Sequence, residues 1–486
     1  MNVIIRGQGT TESERNLAKM ADRTFLNLWS YPNIFIDKRT GQKGDGKELC
    51  DLLVVCGDHI LIFSDKTIAW PGGDDIGLAW RRWFKRSIQK SVNQIRGAQR
   101  WLNEFPDRLF LDRKCTQRLP LCLPPINRRR VHAIVVALGA GDACREFFNE
   151  GIGSLMVSPD IKGDDHIKEE GVQPFSIGDI DPSSSFVHVF DDATLNIVMT
   201  EMNTITDFTE YLTKKESLIR SGHLIGASGE EDLIAYYMTH MNAAQEHDFT
   251  KPDGLPWMDN EAFVIGEDHY SSLLNNPQYL AKKQADNDSF IWDRLIEAFT
   301  DNMLAGTTIV PDNGKFDLTQ HEEGVRHMAL VPRHLRRLMG HGIIDAMQLG
   351  ASEDRMTRAF LPGLTETNRS TGFFFMTLAL PKFELGGGYE QYRQARRNML
   401  ETYALTFLRK YPNLKRIVGI ATEPPVKSVR SVGSSEDLIL AEAPEEWSDE
   451  FIRKLEERQK LFDVVREGRF KEYRIQGNEF PDVDSK

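Results

Sequence analysis

No two of the five cysteines (Cys50, Cys56, Cys115, Cys122 and Cys144) stand in Cys-x-x-Cys spacing, and their number is odd. This fits reduced thiols in a cytoplasmic protein and argues against a zinc site. No apolar run approaches the ~20 residues that a membrane span requires, so no membrane partner is expected. The opening stretch, MNVIIRGQGTTESER, lacks the basic-then-apolar pattern of a signal peptide. Neither a Gly-x-Ser-x-Gly elbow, a His-Glu-x-x-His pair nor a kinase motif set occurs, which leaves those enzyme classes without support. Basic charge is also short: 60 lysines and arginines face 72 aspartates and glutamates, a net charge of −12. A protein of this balance is no general polyanion binder, and contact with nucleic acid would need a local basic patch. The rest of the composition, 40% hydrophobic and 27% charged over 486 residues, allows two or three domains with sizeable cores.

The most structured local signal lies in KELCDLLVVCGDHILIFSDK, residues 47–66. Leu52–Val55 and Ile60–Phe63 are two apolar runs of strand length, divided by Gly57-Asp58, a pair suited to a two-residue type II′ turn. Runs that are apolar on both faces suggest strands covered on both sides, as in an α/β layer. With Gly57-Asp58 as the turn, Cys56 pairs with His59 and Asp51 falls opposite Ser64. Alternation then places Lys66 on the face of Asp51 and Ser64, while Asp65 and Glu48 turn to the other face unless a bulge intervenes.

Around this hairpin the periodicity predicts a helix over 11–29, with Leu17, Met20, Ala21, Phe25 and Leu28 at helical spacing and Thr11 with Glu14 as a capping box. A short strand follows at 33–37. One long amphipathic helix is expected from Leu78 to Leu102, then a buried strand at 131–138. Residues 186–199 read as a further hairpin about Asp191-Asp192, and 206–219 as a helix. Beyond a polar region (250–290), helices are expected near 288–305, 333–348, 389–410 and 447–467, with strands at 371–381 and 416–421. The expected organisation is an N-terminal domain over 1–145, an α/β extension over 146–250 and a smaller C-terminal α/β domain over 251–486.

The order helix, three strands, helix, strand, with Asp51 and Lys66 on the central hairpin, resembles the PD-(D/E)xK, or restriction-endonuclease-like, nuclease superfamily. The likeness covers under a third of the chain. ELCDLLVV and ILIFSDK look closest to the nuclease-related-domain and Holliday-junction-resolvase-like branches, where an acid opens one strand and Glu-x-Lys ends the next. The resemblance implies a restriction-endonuclease-like αβββαβ core and a metal-dependent hydrolysis of phosphodiester bonds, with DNA favoured over RNA and Mg²⁺ or Mn²⁺ as cofactor. It implies roles in prokaryotic antiviral defence or genome maintenance, and a homo-oligomer or partner protein is compatible with it. Carried over by residue, Asp51 would bind the metal and Lys66 would orient the attacking water and stabilise charge. Ser64 stands where the second acid belongs, so Asp65, Glu48 or the first-helix Glu14 would have to complete the metal site, with Glu12 a weaker candidate. Gln94 matches a glutamine that related exonucleases carry on the following helix. Arg81, Arg82, Lys85, Arg86 and Lys90 would bind the phosphate backbone, with Arg128, Arg129 and Arg130 as further candidates for that surface.

Two other readings stand beside this one. The fold can be a non-catalytic module that has lost a carboxylate and only binds nucleic acid or a protein. An unrelated activity in the C-terminal half has no nameable site: His327, His334 and His341 recur every seven residues across interrupting glycines and Pro332, and Gly386–Gly388 precede a helix without a Gly-Lys-Ser/Thr.

Overall fold

The computed structural model describes residues 3–37, 45–149, 151–308, 318–350, 353–361, 370–379, 388–424, 436–464 and 478–481. These form two compact units, residues 1–280 with 300–309 and residues 281–299 with 310–486. The expected segments 1–145 and 146–250 therefore lie within one unit.

The first unit opens with helix α1 (Glu12–Thr24), strands β1 (Ser30–Ile36), β2 (Lys47–Cys56) and β3 (His59–Thr67), helix α2 (Ile76–Phe84), helix α3 (Lys90–Glu104) and strand β4 (Arg130–Leu138). This is the order read from the sequence. The β2–β3 register runs from Leu52↔Phe63 to Cys56↔His59, as the Gly57-Asp58 turn requires, and Gly57 has φ +59. Thr11 caps α1 through the Glu14 amide, and the Glu14 carboxylate returns to the Thr11 amide.

Helices α2 and α3 are one continuous element interrupted by a π-turn at Lys85–Gln89, where an unbroken α-helix was expected. Spacing explains the difference. The buried residues Trp80, Phe84, Ile88 and Val92 step by four, which on an α-helix drifts by ~40° per step, and the wider π-turn takes up that drift. The helix thereby keeps one face on the sheet beside Leu53, Val55, Ile60 and Ile62. The other face of the sheet meets α1, with Phe25 and Phe63 ring centroids 6.0 Å apart.

The chain continues through α4 (Gly141–Phe148), β5 (Met156–Lys162), β6 (Ser176–Asp179), β7 (Val187–Phe190), α5 (Thr194–Glu201), α6 (Ile205–Ser221), β8 (Leu224–Ala227), α7 (Glu230–Thr239) and β9 (Phe263–Ile265). Residues 186–199 are not a hairpin. Strand β7 adds to the main sheet parallel to β4, giving the order β1-β2-β3-β4-β7, and residues 194–201 are helical. Asp191 is the cause, because its Oδ1 accepts the amides of Ala193 and Thr194 at 3.0 and 2.9 Å and so starts a helix instead of a turn. A second sheet, β6-β5-β8-β9, belongs to the same unit.

Two short helices, α8 (His269–Leu274) and α9 (Pro277–Ala285), and the longer α10 (Phe290–Ala305) come next. The second unit contains α11 (Leu318–Ala329), α12 (Arg333–Gly350), β10 (Arg355–Phe360), β11 (Thr371–Leu378), α13 (Gly388–Lys410), β12 (Arg416–Thr422), β13 (Asp437–Glu442) and α14 (Asp449–Leu461). Its sheet runs β10-β11-β12-β13, and α13 links the parallel pair β11 and β12. The chain is thus mixed α/β with several mixed sheets. Among the described residues no helix is long and apolar enough to cross a membrane. Gly386 and Gly387 of the glycine loop lie outside the described residues.

Candidate active site at one end of the central strands

Asp51 and Lys66 come together at the end of the β2–β3 hairpin remote from its turn. The Lys66 ammonium lies 3.4 Å from Asp51 Oδ2, with Asp51 5% exposed. The paired register stops at Leu52↔Phe63, and two residues beyond Phe63 the Asp65 amide donates to the same Asp51 oxygen at 2.5 Å. A carboxylate therefore joins the two strands where their pairing ends.

Ser64 is fully buried, and its hydroxyl donates to Gln94 Oε1 on α3 at 3.1 Å. The Gln94 amide in turn reaches the Leu49 carbonyl at 3.5 Å. The structure thus brings both residues to the site, paired with each other. Asp65 turns to the opposite face, as alternation required, where Ser13 of α1 donates to its Oδ2 at 2.5 Å. Asp65 Oδ1 is buried without a hydrogen-bond partner among the described residues.

Glu48 is repositioned by a bulge. β1 pairs Ile34 with Cys50 but Phe35 with Glu48, so Leu49 is an extra residue in β2. One extra residue reverses the alternation between Glu48 and Asp51 and turns both to the same side. The pairs Pro32↔Leu52 and Ile34↔Cys50 also bracket Asn33 opposite Asp51. Asn33 Nδ2 donates to Glu48 Oε1 at 2.7 Å and to Glu14 Oε2 at 3.0 Å, bridging the two glutamates. Glu14 is at once the capping-box acid and a member of this cluster. Asn33 and Ser13 are not among the site residues expected from the sequence, although an asparagine inside the apolar strand YPNIF is a visible signal.

Four carboxyl groups thus share one region with one lysine. Burial pushes Asp51 above the usual aspartate range against the relief given by Lys66 and the Asp65 amide, and Glu14 adds to the rise. Burial likewise raises Glu48, with Asn33 opposing and the charges of Asp51 and Glu14 reinforcing. Asp65 is pushed up to about 6 by burial, only partly offset by Ser13. Glu14 is the exception: burial raises it, but hydrogen bonds from Asn33, Thr10 and Thr11 together outweigh burial and leave it below its ordinary value. Among the described residues no three His, Cys, Asp or Glu side chains converge as a ready-made metal site. The acids are engaged by Ser13, Asn33 and Lys66 instead.

The basic residues divide. Arg82, Lys85, Arg86 and Lys90 are exposed along α2, the π-turn and the start of α3, whereas Arg81 is tied to the Lys168 and Glu169 carbonyls at 3.5 and 3.1 Å. Arg128, Arg129 and Arg130 do not join them. Arg128 pairs with Asp58 at the hairpin turn, Arg129 binds the Leu102 carbonyl at the end of α3, and Arg130 pairs with His59, so all three lie at the other end of the strands. The seven-residue histidine repeat is split between helices: His327 on α11 meets Arg416, while His334 and His341 on α12 meet Arg337 and Asp288.

Compared with known proteins, the chain matches no family model, no curated protein and no solved structure.

Proposed function

We propose that the first unit is a divalent-metal-dependent nuclease, with a restriction-endonuclease-like core, that hydrolyses phosphodiester bonds, DNA before RNA. The observation that carries this reading is the Asp51–Lys66 pair at 3.4 Å, set near Glu14, Glu48 and Asp65 at one end of the central strands β2 and β3. Four acids, two buried and two half-buried, against one ammonium leave a negative excess that a cation with hard oxygen ligands would neutralise. Asp51 would hold Mg²⁺ or Mn²⁺, with Glu48 and Glu14, whose charges act on it or are acted on by it, as further oxygen donors. A bound divalent ion would supply Lewis acidity toward a phosphate oxygen and lower the pKa of a water. Lys66, 30% exposed at the side chain, would neutralise charge on an attacked phosphate. Arg82, Lys85, Arg86 and Lys90 would hold the backbone of the substrate.

A second reading has one specific observation in its favour. Ser64, in the place of the second acid, is fully buried and already bonded to Gln94, which suits a fold that binds nucleic acid or a partner protein without cutting. One experiment separates them. The chain is incubated with linear, circular and single-stranded DNA and with RNA in Mg²⁺, Mn²⁺ or EDTA. Nuclease function predicts cutting that EDTA stops and that Asp51→Ala and Lys66→Ala each abolish. Binding without cutting in every metal overturns it in favour of the second reading.

A further inference from the structure

We propose that Asn33 is a positioning residue of the metal site, holding Glu14 and Glu48 so that each offers its remaining carboxylate oxygen to the cation. The inference rests on the nuclease reading above and adds to it a residue that touches neither metal nor substrate.

The geometry is specific. Asn33 is 6% exposed, sits at φ +53 in β1 and is bracketed by register opposite Asp51. Its Oδ1 accepts the Gly9 amide at 3.1 Å, which fixes the orientation of the amide and aims Nδ2 at both glutamates. Glu48 uses Oε1 for this bond. Glu14 uses Oε2, which also takes the Thr10 and Thr11 amides at 2.7 and 3.4 Å. Among the described residues, Glu48 Oε2 and Glu14 Oε1 therefore remain for another partner. Two carboxylates on one amide group would repel each other were the amide removed, because Glu14 already raises Glu48 through its charge. Asp65, whose carboxylate is held by Ser13 on the opposite face, takes no part in this arrangement.

Hydrogen bonds that orient ligands from behind are typically worth about 10–100-fold in metal affinity. Position 33 also suits a clean deletion. Its left-handed backbone is one that glycine adopts without strain, so Asn33→Gly removes the amide group and spares the strand.

Mn²⁺ affinity of the full chain, measured by electron paramagnetic resonance of the free ion, is the test, with melting in EDTA as the check of fold. Asn33→Gly is expected to weaken Mn²⁺ binding by about 10–100-fold. In a Glu14→Ala/Glu48→Ala background the same change is expected to cost less than about twofold, since a residue acting through the glutamates has nothing left to act on. Should Asn33→Gly melt out, Asn33→Ser takes its place, because a hydroxyl is too short to reach both glutamates. An unchanged Mn²⁺ affinity, or an equal loss without the glutamates, overturns the role of Asn33 while leaving the metal site standing. No Mn²⁺ binding to the parent chain at millimolar ion overturns both.

Discussion

The Ser64 hydroxyl donates to Gln94 Oε1 at 3.1 Å, joining β3, which carries Lys66, to the helix that follows it. This bond explains how a serine is accommodated beside Asp51: the hydroxyl occupies a fully buried position and leaves no polar atom of its own without a partner. Ser64→Ala would remove the donor from Gln94, and a loss of about 1–2 kcal/mol is expected in chemical denaturation. Ser64→Glu is the sharper variant. It adds a fifth carboxyl group to a region where Asp51, Glu48 and Asp65 are already raised. Melting in EDTA should fall by several degrees, and Mn²⁺ should restore more of that loss than it adds to the parent. Equal melting shifts with Mn²⁺ in both proteins would show that the new acid does not face the cation.

The exposed row Arg82, Lys85, Arg86 and Lys90 forms no ion pair among the described residues that would need to be broken before it meets a phosphate. Replacing all four by glutamine is expected to weaken binding of duplex DNA evenly across sequences. The slope of log K against log salt should flatten by up to about 3–4, near 0.9 for each phosphate that is no longer neutralised. Arg128→Gln, at the hairpin turn beside Asp58, should leave that slope unchanged. Fluorescence anisotropy over a salt series measures both.

The hairpin and its register were legible because a glycine-first turn and a period of two fix every pair between Leu52 and Cys56. The same rule set Asp51, Ser64 and Lys66 on one face and Asp65 on the other. The bulge at Leu49 was not legible, since nothing in KELCD marks which residue is extra, and it alone turns Glu48 toward Asp51. Asn33 escaped for a related reason: its two glutamate partners come from 19 residues before it and 15 after it, and only the folded chain unites them. The misread segment at 186–199 shows local chemistry overriding composition. Asp191-Asp192 suits a turn as well as a helix start, and the choice rests on Asp191 Oδ1 meeting the Thr194 amide.

Glu231, in the first turn of α7, offers a pH dependence separate from the candidate site. Ser154 donates to its Oε1 at 2.6 Å, while Oε2 is buried with no partner among the described residues. Burial pushes its pKa from 4.5 up to about 7, against the relief given by Ser154. Between these values the folded chain holds a proton that the unfolded chain has released, so stability falls as pH rises from 4.5 to 7 and stays low above it. Glu231→Gln removes the charge and should stabilise the protein at pH 8 by about 2–3 kcal/mol, with little effect at about pH 4. Urea unfolding at the two pH values checks this. A stabilisation of equal size at both would show that packing and not charge is responsible.

Asp65 and Asp51 are joined through the Asp65 amide, yet their side chains serve opposite faces, and this separates their expected roles. Asp51 is approached by Lys66 and the Asp65 amide, whereas the Asp65 carboxylate is held by Ser13 of α1. Asp51→Asn keeps an oxygen for the Asp65 amide but loses the charge, and Mn²⁺-dependent cutting should drop by about 10²–10³-fold or more. Asp65→Asn keeps an oxygen for Ser13 and should leave cutting within about tenfold of the parent, since only a charge on the far face is removed. The variant should also gain stability. With a folded pKa of about 6 against an ordinary 3.8, Asp65 destabilises the protein increasingly as pH rises through that interval, so the gain belongs at about pH 8 and not at about pH 4. A loss of cutting in Asp65→Asn as large as that in Asp51→Asn would mean that Asp65 leaves Ser13 and becomes the second metal-binding acid in place of Ser64.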